Sequence, residues 1–136
     1  MTTAARILVV DDEPDLLTLY ELALIREGHQ VQTASTLAEA RGALAEATFD
    51  VLITDMRLPD GLGMELLREL AAARRPERSI MVTAYGSPET AVEALKAGAF
   101  DYLTKPVDLK QLRTVVASAL QDAPAPARAA APAASA

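Results

Sequence analysis

Arg6-Ile7-Leu8-Val9-Val10-Asp11-Asp12 is a short apolar run that stops on two carboxylates. The pattern returns in Val51-Leu52-Ile53-Thr54-Asp55, Ser79-Ile80-Met81-Val82-Thr83 and Tyr102-Leu103-Thr104-Lys105. Short aliphatic runs bounded by polar residues read as buried strands. Side chains at the carboxyl ends of parallel strands converge on one crevice. These polar terminators, far apart in sequence, are therefore expected to meet as one acidic pocket holding a single lysine.

Between the strands the period changes to that of helices. Strand one at Arg6–Val10 is followed by Leu16, Leu19, Tyr20, Ala23 and Leu24, which read as an inward helical face ending at Gly28. A weaker strand at Val31–Ala34 precedes Thr36 and Glu39, spaced as a capping box, with Leu37, Ala40, Leu44 and Ala47 on one face. Val51–Thr54 is the third strand, and the turn-rich Leu58-Pro59-Asp60-Gly61-Leu62-Gly63 leads into a helix burying Leu66, Leu67 and Leu70. Ile80–Val82 is the fourth strand; Ser87-Pro88-Glu89 opens a helix that stops at Gly98. Tyr102–Thr104 is the fifth, and Asp108 with Gln111 starts a last helix burying Leu109, Leu112, Val116, Ala119 and Leu120. Strict alternation with apolar strands predicts an α/β fold: a five-stranded parallel sheet in the order 2-1-3-4-5, with five helices on both faces. Asp11, Asp12 and Asp55 fall at its switch point.

Length and composition agree with that reading. A chain of 136 residues holds one such domain. We expect it over residues 1–122, followed at 123–136 by an Ala/Pro-rich linker or tail with nothing to bury. The formal charge of −6, with no clustered Lys or Arg, argues against direct nucleic-acid binding by this domain. Absence of cysteine removes disulfides and thiolate metal sites and fits the reducing cytoplasm. Neither a signal peptide nor a membrane-spanning apolar stretch is evident.

Three converging carboxylates repel one another unless a proton or a cation is shared among them. Oxygen-only ligands favour a hard ion, and Mg²⁺ is suited because it takes one or two carboxylates and completes its shell with water and phosphate oxygens. Asp55, centrally placed, can then act as a nucleophile on phosphorus to form an aspartyl phosphate. Asp11 and Asp12 would hold the metal, Lys105 would offer a point charge to a phosphoryl oxygen, and Thr83 a hydroxyl donor. Phosphoryl transfer is mostly positioning and charge neutralisation, so these five residues suffice.

In these residues the sequence resembles the receiver domains of two-component response regulators, which have a flavodoxin-like (CheY-like) fold. The resemblance covers Arg6 to Leu120. Asp11-Asp12 match the family's acidic pair, Asp55 its phosphoacceptor, Thr83 its switch hydroxyl and Lys105-Pro106 its lysine followed by a usually cis proline. Pro59 and Gly63 match its turn positions, Tyr102 its rotamer-switching aromatic, and the backbone carbonyl of Arg57 is implied as a further metal ligand. DMRLPDGLGMELL and TAYGSPETAVEALKAGAFDYLTKPVDL look most like NtrC-type sigma-54-dependent activators, especially the pilus-gene regulator subgroup. The resemblance implies a phosphoacceptor signalling domain and no enzyme in the ordinary sense, with slow autophosphorylation from small phosphodonors and autodephosphorylation. Its implied partners are a sensor histidine kinase and either a second copy, docked through helix four, strand five and helix five, or an AAA+ output domain for transcription control.

Singly, most of these residues have blander readings. Asp11-Asp12 before a helix more often caps it, Asp55 before a Pro/Gly loop more often belongs to a turn, and Thr83 is a β-former. Asp50 and Asp101 read as turn residues, His29 as a surface residue, Glu13 as either a cap or a support of the site, and Arg74, Arg75 and Arg78 as solvated. Arg57 and Tyr85 are expected to flank the pocket mouth. Two other functions compete. A Mg²⁺-dependent phosphohydrolase would want an acid/base Asp two residues after the nucleophile, where Arg57 stands, and a constitutive degenerate receiver would have lost part of the pocket. A nucleotide- or flavin-binding domain would want a Gly-rich or Ser/Thr-rich phosphate loop after strand one, where Asp11-Asp12-Glu13-Pro14 stands instead.

Overall fold

The computed structural model describes residues 4–84 and 88–121. Five parallel strands, β1 (Arg6–Val10), β2 (Gln30–Ala34), β3 (Val51–Asp55), β4 (Arg78–Thr83) and β5 (Ala99–Thr104), form one sheet in the order β2-β1-β3-β4-β5. The helices between and after them are α1 (Pro14–Arg26), α2 (Leu37–Glu46), α3 (Gly63–Ala72), α4 (Pro88–Lys96) and α5 (Leu109–Gln121). A small antiparallel ribbon pairs Arg57 and Leu58 with Leu62 and Gly61. The order and the four crossovers match the expectation from the alternating pattern.

The two faces of the sheet follow from the two-residue period of the strands. Ile7, Val9, Ile53, Ile80 and Val82 pack under α1 and α5, with Leu17, Tyr20, Leu24, Leu112 and Val116. Leu8, Val10, Leu52 and Met81 pack against α2, α3 and α4, meeting Leu37, Leu44, Leu66, Leu67 and Ala94. Central strands buried on both faces leave only their ends for polar work.

Several local expectations need correction. Leu19, expected inward, is 48% exposed and joins Leu22 and Ile25 on the outer side of α1, because the buried stripe runs through Leu17, Tyr20 and Leu24. β4 and β5 are longer than read from sequence, beginning at Arg78 and Ala99. Arg75 is not solvated: its guanidinium donates to the carbonyls of Leu44 (2.7 Å) and Ala47 (2.9 Å) and to both oxygens of Glu77 (3.0 and 2.8 Å). Glu77, buried, also accepts from the Phe49 N–H at 2.9 Å. Asp50 accepts from the Arg6 N–H (2.9 Å), and His29 Nδ1 from the Ala5 N–H (3.2 Å), so both fasten the amino-terminal rim of the sheet. The linker or tail at 123–136, the Ser87 start of α4 and Tyr85 lie outside the described residues.

Candidate functional site

The carboxyl ends of β1, β3, β4 and β5 do converge. The Asp11 N–H is held by the Ala34 carbonyl at 3.1 Å, Met56 N–H by Val82 at 2.8 Å and Lys105 N–H by Thr83 at 2.8 Å, which locks each strand end to its neighbour. Carboxylate oxygens of Asp11, Asp12 and Asp55 lie within 4.8 Å of one another, with Asp11 and Asp55 buried and Asp12 exposed. Lys105 Nζ sits between them, 3.0 Å from Asp55 Oδ2, 3.1 Å from Asp11 Oδ2 and 3.8 Å from Glu13 Oε1. Glu13 occupies the N-cap position of α1 without a side-chain capping bond, so its carboxylate faces the lysine instead.

Charge in this cluster is unbalanced. Burial pushes the Asp55 carboxyl above the usual carboxylate range; the hydrogen bond from Lys105 opposes this, the Asp11 charge adds to it, and a backbone hydrogen bond from Arg57 pulls the other way. Burial also works against the Lys105 ammonium, but Asp55 and Asp11 outweigh it and hold the lysine above its ordinary value. Asp11 Oδ1 accepts from the Glu13 N–H at 2.9 Å, whereas its buried Oδ2 meets Lys105 without hydrogen-bond geometry. An acceptor left without a directed donor in a trio of oxygen ligands is what a hard divalent cation requires. The donor set therefore fits Mg²⁺.

The remaining residues named from sequence fall around this cluster. Thr83 ends β4 with a buried side chain, opposite Thr104 in the register. Tyr102 is half-buried on β5 and packs against the α2–α4 core. The Lys105–Pro106 bond is cis. Arg57, exposed, opens the ribbon after Asp55. Gly63 has a steric reason: a Cβ there would collide with the Asp55 carbonyl and approach Thr54 Oγ1 to 2.9 Å, so only glycine lets α3 begin against the Asp55 main chain.

Two neighbours escaped the sequence reading. Tyr20 looked like an ordinary core position, yet its buried hydroxyl makes no hydrogen bond, and burial together with the Asp11 charge pushes its pKa up to about 12. Asp60 looked like a turn residue; it reaches α2 instead, where its two carboxylate oxygens accept from Leu37 N–H (2.8 Å) and Ala38 N–H (3.1 Å). The one available signal was its place six residues after the expected strand end at Thr54, and nothing in that spacing names α2 as the partner.

The fold is thus a doubly wound parallel sheet with an acidic trio, a lysine and a buried threonine gathered at the carboxyl ends of its strands. The response regulator receiver domain family model matches residues 7–117, and the chain belongs to that family. It is 52% identical over 115 residues to the response regulator protein PilR of Pseudomonas aeruginosa, covering 84% of this chain and 26% of that protein. With the DNA-binding transcriptional regulator NtrC of Azospirillum brasilense it shares 39% over 125 residues, 92% of this chain and 26% of that one. Among solved structures, the beryllofluoride-activated NtrC4 receiver domain dimer superposes with a TM-score of 0.81 at 34% identity, covering 85% of this chain and 96% of that one. The chain thus spans about a quarter of the curated relatives' length, and its similarity runs to NtrC-type regulators.

Proposed function

We propose that Asp55 accepts a phosphoryl group from a phosphohistidine of a sensor kinase, and that the added charge switches the surface formed by α4, β5 and α5. The observation that carries this is the trio of carboxylates Asp11, Asp12 and Asp55, whose buried members Asp55 and Asp11 are bridged by Lys105 Nζ at 3.0 and 3.1 Å. An Asp55 carboxylate oxygen attacks phosphorus, a P–O bond forms and the P–N bond breaks. The electron pair of that bond stays on the departing imidazole nitrogen, which takes up a proton. Asp11, Asp12 and Asp55, with the Arg57 carbonyl, would hold Mg²⁺, which supplies positive charge against the phosphoryl oxygens. Lys105 releases Asp55 Oδ2 and meets a phosphoryl oxygen, while the Thr83 hydroxyl turns to donate to another. Thr83 then leaves space that Tyr102 fills, which carries the change to β5.

Exposed Val92 and Leu95 on α4 supply apolar area for the surface so reshaped, either in a homodimer or against an AAA+ output domain that controls transcription. No helix among the described residues is long and apolar enough to cross a membrane, and we place the protein in the cytoplasm with its kinase. Slow self-phosphorylation from small donors and slow hydrolysis are all the chemistry the site needs, so it works as a switch and not as a turnover enzyme. The exposed Arg57 side chain, standing where a phosphohydrolase would want its acid/base carboxylate, disfavours that alternative.

Incubation with acetyl phosphate and Mg²⁺ should add one phosphoryl mass to the intact protein, none to Asp55→Asn, and little when a chelator is present. Equal labelling of Asp55→Asn would sink the assignment.

A further inference from the structure

Asp60 stands at the tip of the ribbon that follows the phosphoacceptor. The base of the ribbon is closed by the Gly63 N–H donating to the Met56 carbonyl at 2.8 Å, and its two arms pair Arg57 with Leu62 and Leu58 with Gly61. Its tip is fastened 23 residues away in sequence, where Asp60 Oδ1 takes the Leu37 N–H (2.8 Å) and Oδ2 the Ala38 N–H at 3.1 Å. These donors are open because the helix's own caps use others: Thr36 Oγ1 takes the Glu39 N–H (3.0 Å), and Glu39 Oε1 takes the Ser35 N–H at 2.7 Å, one residue before the N-cap. The ribbon is pressed close to α2 as well. A Cβ on Gly61 would come within 2.6 Å of Leu37 Cδ1 and 2.8 Å of Glu65 Oε2. On the α3 side, Glu65 Oε2 accepts from the Leu62 N–H at 3.0 Å, and Arg41 of α2 reaches Glu65 at 3.3 Å and Glu69 at 2.7 Å.

From this arrangement we infer that Asp60 is a positioning residue for the phosphoacceptor site: by gripping two consecutive α2 amides it anchors the ribbon whose first residue, Arg57, lies against Asp55. The inference rests on the reading of Asp55, Asp11 and Asp12 as a Mg²⁺-dependent phosphoacceptor centre. Asp60 itself touches none of these groups and acts through the backbone between them. With the tip released, the ribbon loses its two bonds to α2, and the Arg57 main chain, whose N–H donates to Asp55, is held less firmly beside that carboxylate. Coupling of this kind is mutual. A cation bound better when the tip is anchored must tighten the anchor in return, and slow the exchange of the Leu37 and Ala38 amides.

The test uses the whole chain and Mg²⁺ as the probe, with binding followed by titration calorimetry and amide exchange by NMR. Asp60→Ala should weaken Mg²⁺ binding about fivefold and abolish the Mg²⁺-dependent slowing at Leu37 and Ala38. Asp60→Asn, which keeps one acceptor oxygen, should fall between Asp60→Ala and the unmodified chain and serves if Asp60→Ala does not fold. Thr36→Ala frays the same helix end without touching the ribbon; it should lower the urea midpoint and bind Mg²⁺ as the unmodified chain does. Unchanged Mg²⁺ affinity in both Asp60 variants would overturn the inference while leaving the phosphoacceptor reading intact. Equal weakening by Thr36→Ala would also overturn it, since helix fraying alone would then be the cause. If the unmodified chain binds no Mg²⁺, the inference and the reading fall together.

Discussion

The two ends of the sheet each bury an acid beside a base and settle the charge in opposite ways. At the amino-terminal end, Glu77 accepts three directed hydrogen bonds from Arg75 and Phe49. Burial alone would raise its carboxyl, but Arg75 and the Phe49 N–H pull it below the usual range. At the carboxyl end, the carboxylates of Asp11, Asp55 and Glu13 compete for one lysine, Asp55 is pushed up, and Asp11 Oδ2 has no directed donor. Buried charge is therefore no functional signal in this fold by itself. The signal is imbalance between donors and acceptors, which a cation and a phosphoryl group can complete.

The sharpest way to break this comparison is the same acid-to-amide substitution at both ends. Glu77→Gln turns an acceptor toward Arg75 into a donor and disrupts a buried pair, and should cost about 3 kcal/mol in a urea melt. Asp55→Asn should have the opposite sign and leave the protein as stable or more so, because the folded state holds that carboxylate less favourably than water does. Comparable destabilisation by the two variants would show that the carboxyl-end cluster is as well satisfied as the other.

A smaller effect comes from completing the imbalance. Mg²⁺ at ten times its dissociation constant should stabilise the protein by about 1.4 kcal/mol. Glu77→Gln should keep that increment, since its change is at the far end of the sheet, and Asp55→Asn should lose most of it. A Mg²⁺ increment that survives Asp55→Asn would place the cation elsewhere.

How much of each end could be read from the chain follows from the same contrast. The site was legible because its charged and hydroxyl residues end a strand or come just after one, and parallel order brings such positions together without any knowledge of packing. Arg75 and Glu77 were not, because Glu77 meets a main-chain group 28 residues away and Arg75 meets carbonyls at the end of α2. Asp60 escaped for that reason too. Leu19 was misplaced because a helix with leucines at positions 16, 17, 19, 22 and 24 offers more apolar residues than one face can bury, and only the docking of α1 on Val9 and Val116 selects the stripe.

The smallest expected effect is in the pH profile, and it separates the two ends by sign. Glu77 has a folded pKa below its ordinary value of 4.5, so the stability it contributes is complete above that value and is lost as pH falls through the lowered one. Asp55 has a folded pKa above its ordinary value of 3.8, so its charge costs stability at neutral pH. That cost is relieved as pH falls from the raised value toward 3.8. In a Mg²⁺-free buffer, the stability gap between the unmodified chain and Glu77→Gln should shrink on acidification below 4.5. The gap to Asp55→Asn should begin to close at higher pH, with the unmodified chain gaining on the variant. Urea midpoints measured in steps from pH 7 to pH 3 read both. If acidification makes the unmodified chain lose ground to both variants, or gain on both, the two buried acids are held alike, and the division of the sheet into a closed end and an open one fails.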